Sequence, residues 1–341
     1  MDHRKKNVTS ADVAKKAGVS RATVSYILNN RRDSRVAEAT RSRVMEAAES
    51  LGYQPDIHAR AMKTGCSMAI GIVSRRSVTE SRFTRVLHGV REQFHARGYT
   101  LTLCSDEISS GGKPEYLRLF LEKRLDGVIF LSRLEDETAA EMETRLHWIT
   151  DARLPCVFSD FHMQAGGFPK VDIDYAQGAY TAIRHLLKKG HRNIGLFIPT
   201  SDNPQEEQRR KGAEQAVAEI PDARLILYTF RPGKDDLGAA LRSVLMGRSG
   251  FTALAGAWIY HSAHILQLGA QMGIRIPDEL AVISLADDHY IHILQPRLSC
   301  VNLPLYELGH ESAGKLLELM EGREAGEDRK LPCSLCLLDS C

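Results

Sequence analysis

The chain has 341 residues, 43% of them hydrophobic and 26% charged, with a formal net charge of +2 at pH 7. That length supports two or three domains; no apolar run spans a bilayer and the charged N-terminus has no apolar signal segment, so a membrane or exported protein is not expected and a cytoplasmic one is. Residues 1–64 hold 13 Lys and Arg against 7 Asp and Glu, and the rest of the chain holds 32 against 36, which is the asymmetry of a nucleic-acid-contacting head on a near-neutral body.

Residues Thr9 to Leu28 predict a short helix, a three-residue turn and a second short helix. The apolar positions are few and fixed: Val13, Ala14, Ala17, Val19, Val24, and Ile27 or Leu28. Gly18 stands where the chain must turn sharply. Thr9 caps the first helix, with Asp12 three residues on as its partner in a capping box. Ser20 caps the second helix. The outward positions at the start of that second helix are Arg21, Ala22, Ser25 and Tyr26, and in a helix-turn-helix this end enters the DNA major groove. Such helix pairs also occur as plain packing units, but the flanking Arg4, Lys5, Lys6, Lys15, Lys16, Arg31, Arg32, Arg35, Arg41 and Arg43 favour DNA. A third helix follows from Glu38 to Leu51, with Val44, Ala47, Ala48 and Leu51 on one face and Gly52 as its stop. The Ala-containing segment between Pro55 and Gly65 is too short to be a stable helix alone.

From Ser67 onward the pattern becomes α/β alternation. Strands are predicted at Met68–Val73, Thr100–Cys104, Gly127–Leu131 and Pro155–Ser159. The intervening helices lie near Arg82–Arg97, Pro114–Arg124, Glu137–Thr150 and Ala176–Lys189. A second series starts near residue 192, with strands near Ile194–Ile198, Leu225–Thr229, Ala253–Ala257, Leu280–Leu285 and Leu331–Leu338. Its helices are near Gln205–Ala218, Leu237–Met246, Ser262–Met272 and Tyr306–Met320. Two such series predict two doubly wound parallel-sheet subdomains with a cleft between them, suited to closing on a small ligand.

Little points to catalysis. There is no nucleophile–base motif, no phosphate-cradling glycine loop and no metal signature, so an enzyme is not expected. The seven cysteines, Cys66, Cys104, Cys156, Cys300, Cys333, Cys336 and Cys341, are odd in number and scattered, as reduced thiols would be. Cys333 and Cys336 have CxxC spacing and face opposite ways on a strand, but no second pair or His cluster completes a zinc site, so neither metal nor cofactor is expected. His261, His264, His289 and His292 are expected to be scattered surface residues.

Five fragments carry a resemblance: Asp12–Asn29, Arg43–Pro55, Arg124–Leu131, His185–Phe197 and Leu303–Gly322. In this order they resemble the LacI/GalR family of bacterial transcription regulators over essentially the whole chain. The resemblance implies an α-helical helix-turn-helix DNA-binding head (1–54), a hinge helix and linker (55–66) and an α/β periplasmic-binding-protein-like core (67–341) for effector binding and dimerisation. It implies a homodimer, in some members a tetramer, on a pseudo-palindromic double-stranded operator, with a small-molecule effector in the core cleft that changes operator affinity. The expected function is a transcriptional regulator, a repressor by preference. A solute-binding protein without DNA regulation is the competing reading; the fold permits it, while the basic head opposes it.

Carried over to this chain, the base readers are Arg21, Ala22 and Tyr26. Arg21 suits guanine, Ala22 a thymine methyl, and Tyr26 stands where Arg is often found, with partial packing against the head as an equal alternative. Thr9, Ser20, Thr23, Ser25 and Asn29 go to phosphates and caps. In the hinge, Ala59 matches the small residue that approaches the minor groove, and Met62 replaces the Leu that wedges into the central base step. The effector site draws on Phe83, Asp160, Arg209, Trp258 and Asp287, with Asp174 nearby. Two usual polar anchors are replaced: Trp258-Ile259 stands for Asn-Asp, and Ala286 for the first Asp of Gly-Phe-Asp-Asp. A plain aldose would leave hydroxyls unpaired there, at about 1–3 kcal/mol each, so the alternatives are an aromatic or less hydroxylated ligand, a sugar held in an unusual way, or no small effector.

Overall fold

The computed structural model describes residues 8–28, 36–53, 66–74, 80–108, 112–131, 139–162, 166–201 and 203–341. The chain forms two compact units, Met1–Ser67 and Met68–Cys341.

The first unit holds α1 (Ser10–Ala17), α2 (Arg21–Leu28) and α3 (Glu38–Leu51). Asp12 accepts hydrogen bonds from the Thr9 backbone N–H at 2.9 Å and the Thr9 hydroxyl at 2.7 Å, so the predicted cap is made. Gly18 ends α1 in the left-handed region, at φ +66°, and its N–H donates to the Ala14 carbonyl. The Ser20 hydroxyl oxygen accepts the Thr23 N–H at 3.1 Å and opens α2. Val13, Ala14, Ala17, Val24, Ile27, Val44, Ala47 and Ala48 form one buried cluster, with Val19, Leu28 and Leu51 at its margin. Helices of eight residues are marginal alone, so this shared core is what holds α1 and α2.

The second unit is built on two six-stranded sheets. The first contains β1 (Ala69–Val73), β2 (Thr100–Cys104), β3 (Gly127–Leu131), β4 (Cys156–Ser159), β5 (Lys170–Ile173) and β11 (Arg329–Leu331), in the order β11-β5-β4-β3-β1-β2. The second contains β6 (Asn193–Pro199), β7 (Arg224–Phe230), β8 (Ala253–Gly256), β9 (Ala281–Ser284), β10 (Ser299–Asn302) and β12 (Ser334–Cys336), in the order β12-β10-β9-β8-β6-β7. All pairings are parallel except β10 with β12. Both orders reverse direction after the first strand of the series, the doubly wound pattern in which ligands sit beyond the carboxyl ends of the strands. Around them lie α4 (Ser81–His95), α5 (Glu115–Leu121), α6 (Ala139–Ala152), α7 (Tyr175–Lys188), α8 (Pro204–Ala218), α9 (Leu237–Met246), α10 (Ile259–Gln271) and α11 (Leu305–Met320).

The two series are interleaved rather than consecutive, which corrects the linear reading of the sequence. Helix α11, expected with the second series, packs on α4 and on β3, β4 and β5 of the first lobe. Helix α7, expected with the first, packs on α8, β10 and β12 of the second. The single strand expected over Leu331–Leu338 is two, β11 in the first sheet and β12 in the second. Pro332, which has no N–H to give a ladder, lies between them. Strands β5 and β10 escaped the sequence reading because Asp172 and Ser299 break their apolar runs. Asp172 accepts the Phe161 N–H at 2.8 Å, and Ser299 is fully buried against the chain end. The chain therefore crosses between lobes after β5, after β10 and after β11.

Candidate DNA-reading helix and ligand cleft

At the start of α2, Arg21 and Ala22 are exposed, while Ser25 and Tyr26 are half-buried. Ser20 and Thr23 are joined through their hydroxyls at 2.9 Å, so both are engaged in the turn as well as near the helix N-terminus. Lys15 and Lys16 are exposed in the last turn of α1. Asn29, Ala59 and Met62 lie outside the described residues. The geometry leaves one charged side chain, Arg21, projecting from the first residue of a helix whose other face is sealed by Val24 and Ile27.

Within the second unit a cavity of about 560 Å³ opens between the lobes. It lies beyond the carboxyl ends of β8 and β9, where those strands deliver Trp258 and Asp287. Of the five expected effector residues, these two line it. Asp287 is paired with Arg85 at 2.7 Å and accepts the Leu303 N–H at 3.0 Å, so it ties α4 of the first lobe to the second lobe and to the crossing before α11. Ile259 and Ala286, the substituted anchor positions, also face the cavity.

The other three expected residues are placed differently. Phe83 is buried in the apolar core and borders a small void with Asp160, not the cavity. Asp160 is 2% exposed and sits at φ +60°, held there by its N–H to the Val171 carbonyl at 2.7 Å. Its carboxylate pairs with Arg82 and accepts from the Tyr175 hydroxyl at 3.0 Å and from Gln205 Nε2 at 2.6 Å, with His162 Nε2 at 2.8 Å. Arg209 is fully buried. Its guanidinium carbon lies 4.2 Å from the Tyr175 ring centroid and 4.0 Å from that of Trp258. Nε donates to the Leu285 carbonyl at 3.2 Å, Nη1 to the Gln205 carbonyl at 3.4 Å, and Nη2 has no partner among the described residues. Burial pulls its pKa down to about 10. Asp174, expected near the cleft, instead caps α7 through the Gln177 N–H and pairs with Lys330 at 3.1 Å.

Four residues of the site escaped the sequence reading: Arg82, Tyr175, Gln205 and Glu206. Each adjoins or shares a face with a residue that was found. Arg82 precedes Phe83, and Gln205 and Glu206 stand four and three residues before Arg209, on the same helical face. Glu206 accepts from Trp258 Nε1 at 2.8 Å and from the Ser201 hydroxyl. Tyr175 has its hydroxyl between Arg82 and Asp160, and burial raises its pKa.

The histidines were misjudged in one case. His264, His289 and His292 are exposed, but His261 is fully buried, with ring centroids 5.4 Å from Phe197 and 5.1 Å from Phe230. Neither ring nitrogen has a hydrogen-bond partner among the described residues, and burial drives its pKa down to about 3. None of the seven cysteines, all among the described residues, is in a disulfide, and five of them are buried. Among the described residues no group of three or more His, Cys, Asp or Glu side chains is placed to hold a metal ion, and no helix is long and apolar enough to cross a membrane.

Comparison with known proteins places both units. Residues 9–56 match the family described as bacterial regulatory proteins, lacI family, and residues 183–341 match the periplasmic binding protein-like domain. The chain is 30% identical over 319 residues, 92% of either chain, to the HTH-type transcriptional repressor PurR of Photobacterium profundum. It is 28% identical over 316 residues, 90% of either chain, to the HTH-type transcriptional regulator DegA of Bacillus subtilis. Among solved structures, a lac repressor dimer bound to operator and the anti-inducer ONPF has a TM-score of 0.79 at 21% identity, covering 98% of this chain and 99% of that one. The capped helix-turn-helix, the two interleaved lobes and the full-length similarity together establish that this chain belongs to the LacI family of bacterial regulatory proteins, DNA-binding regulators of transcription.

Proposed function

We propose that the chain is a repressor rather than an enzyme, acting in the cytoplasm as a homodimer on a pseudo-palindromic operator. The observation that carries this reading is Arg21 exposed at the first position of α2, beside Ala22, on a head whose Val13, Ala14, Ala17, Val24 and Ile27 are buried together in one core. In the reading, Arg21, Ala22 and Tyr26 meet base edges in the major groove. Thr9, Ser20, Thr23, Ser25 and Asn29 serve phosphates and caps. Ala59 and Met62 of the hinge enter the minor groove, where Met62 acts as the apolar wedge. The cleft holds a small-molecule effector that prefers one arrangement of the lobes and so shifts operator affinity by linkage. Relatives named as PurR repressors support the sign of control.

The test is selection of bound sites from random duplexes at low ionic strength, followed by footprinting and sedimentation of the complex. A protected two-fold symmetric site bound by two chains is expected, with log K falling steeply against log salt. A failure to protect any preferred site, or a single chain on the duplex, defeats the reading. Met62→Ala is expected to lose much of the operator bend in a FRET assay, and an unchanged bend removes the wedge role.

A further inference from the structure

The deep end of the cleft is filled by the chain's own cations. Arg82, on the first lobe, pairs with Asp160 and Tyr175, and its guanidinium carbon lies 5.6 Å from the Tyr175 centroid and 5.8 Å from that of Trp258. Arg209 is sealed between the same two rings. Arg82 also lines the cavity, and its Nη1 has no hydrogen-bond partner among the described residues, but its charge is matched by Asp160, while Arg209 is enclosed away from the cavity.

The cavity wall carries the opposite charge. Glu206 lines it at 6% exposure and is held by neutral donors, Trp258 and Ser201. Among the described residues no Lys, Arg or His lies within ion-pair distance of Glu206. Asp288 lines the same cavity and is held by the His289 N–H at 2.6 Å and by its imidazole. The hydrogen bonds to Glu206 come only from neutral donors, and the cation whose charge reaches it, Arg209, is sealed behind Trp258, so the face that Glu206 turns to the cavity suits a cation. The remaining lining is mixed, with the rings of Tyr260 and Tyr290 and the hydrocarbon of Leu303 and Leu305 beside polar Glu80, Ser81, Asn203 and Asp287. Ile259 and Ala286, where polar anchors were expected, are apolar. Ligand hydroxyls would go unpaired against them, whereas a flat apolar body would not.

We infer that the cleft selects an organic cation, an ammonium or guanidinium on a flat apolar body, with the charge against Glu206 and Asp288 and the body against Tyr260 and Tyr290. This rests on the cleft being the effector site. The internal guanidiniums already show what this environment accommodates, since both arginines lie against Trp258 and Tyr175.

The experiment is calorimetric titration of the full chain with tryptamine, tryptophol and indole-3-acetate, one ring system in three charge states, together with agmatine, glucose and ribose. Tryptamine or agmatine is expected to bind, and the cation of the indole set to bind about tenfold more tightly than its neutral and anionic counterparts. Glu206→Gln and Asp288→Asn are each expected to cut that preference to about threefold or less, with melting temperature checked separately so that misfolding is not mistaken for lost recognition. No binding by either cation, or a neutral or anionic compound binding as well as tryptamine, overturns the inference, as does a preference unmoved in both folded variants. Each compound is also tested on operator affinity. A sugar that binds and shifts that affinity, with no cation doing so, defeats this inference and leaves the effector reading standing. A cation that binds as expected without shifting it leaves the inference standing and defeats the effector reading.

Discussion

Asp160 of the first lobe accepts a 2.6 Å hydrogen bond from Gln205 of the second. The same carboxylate holds Arg82 and the Tyr175 hydroxyl, so one acid both balances a buried cation and joins the lobes. The two roles separate by substitution. Gln205→Leu removes the bridge and leaves the ion pair, at about 1.5–3 kcal/mol for a hydrogen bond to a charged group. Asp160→Ala leaves Arg82 without its counter-charge and is expected to lose about 3–5 kcal/mol. Urea unfolding of both variants gives the comparison, and equal losses would show that the carboxylate acts only as a bridge.

Gly89 and Gly309 set how closely α4 and α11 approach. A Cβ built at Gly89 would stand 2.1 Å from the Tyr306 carbonyl oxygen, and one at Gly309 would stand 2.0 Å from that of Val86. The obstacle is backbone in both cases, so no side chain can rotate away and the helices must part. Gly89→Ala and Gly309→Ala are each expected to destabilise by about 1–3 kcal/mol or more. Gly314→Ala, on the same helix with nothing within 4 Å, is expected to gain about 0.5–1 kcal/mol. Thermal melts of the three variants check the pattern, and a loss at Gly314 equal to the other two would contradict the steric account.

His261 makes the folded chain acid-sensitive in a defined window. Its folded pKa of about 3 lies below the ordinary value of 6.5, because burial disfavours the imidazolium. Above pH 6.5 the ring is neutral in both folded and unfolded chains and contributes no pH dependence. Below that the unfolded chain binds a proton that the folded chain refuses, so stability falls as pH drops from 6.5 toward 3. The slope approaches about 1.4 kcal/mol per pH unit, or about 2 kcal/mol between pH 6.5 and 5. His261→Phe shifts overall stability through packing but removes this slope. Denaturant unfolding of both proteins across that interval is the measurement; parallel curves would mean that His261 does not carry the effect.

Much of this arrangement was legible in the residues, and the exceptions have physical causes. The head was readable because short helices have few apolar positions, and Gly18, Gly52, Thr9 and Ser20 mark their ends. Most of the strand and helix succession of the core was readable from apolar runs, with β5, β10 and the division of β11 from β12 as the exceptions. What periodicity does not carry is which sheet an element joins: α7 and α11 have ordinary amphipathic sequences, and only their packing assigns α7 to the second lobe and α11 to the first. In the cleft, Trp258 and Asp287 were named through the family resemblance, and they stand just past the ends of β8 and β9. The enclosure of Arg209 was not, because it depends on two rings, Tyr175 and Trp258, far apart in sequence. His261 was misjudged because its neighbours His264 and Tyr260 are exposed, while one step along the helix turns it into the aromatic core.

Arg21 and Thr23 are expected to fail in different ways on DNA. Arg21 is exposed and carries a planar fork of donors able to pair with one guanine, so Arg21→Ala is expected to lose about 1–3 kcal/mol of discrimination at one position of each half-site. Thr23 is tied to Ser20 by its backbone N–H at 3.1 Å and its hydroxyl at 2.9 Å, which keeps its side chain beside the turn. Thr23→Ala is therefore expected to weaken binding by a similar factor on every duplex, without changing the preferred base anywhere. Binding of both variants to the selected operator and to its single-base variants separates the two outcomes. A base preference altered by Thr23→Ala, or a uniform loss from Arg21→Ala, would reverse the assignment of recognition and positioning between these two residues.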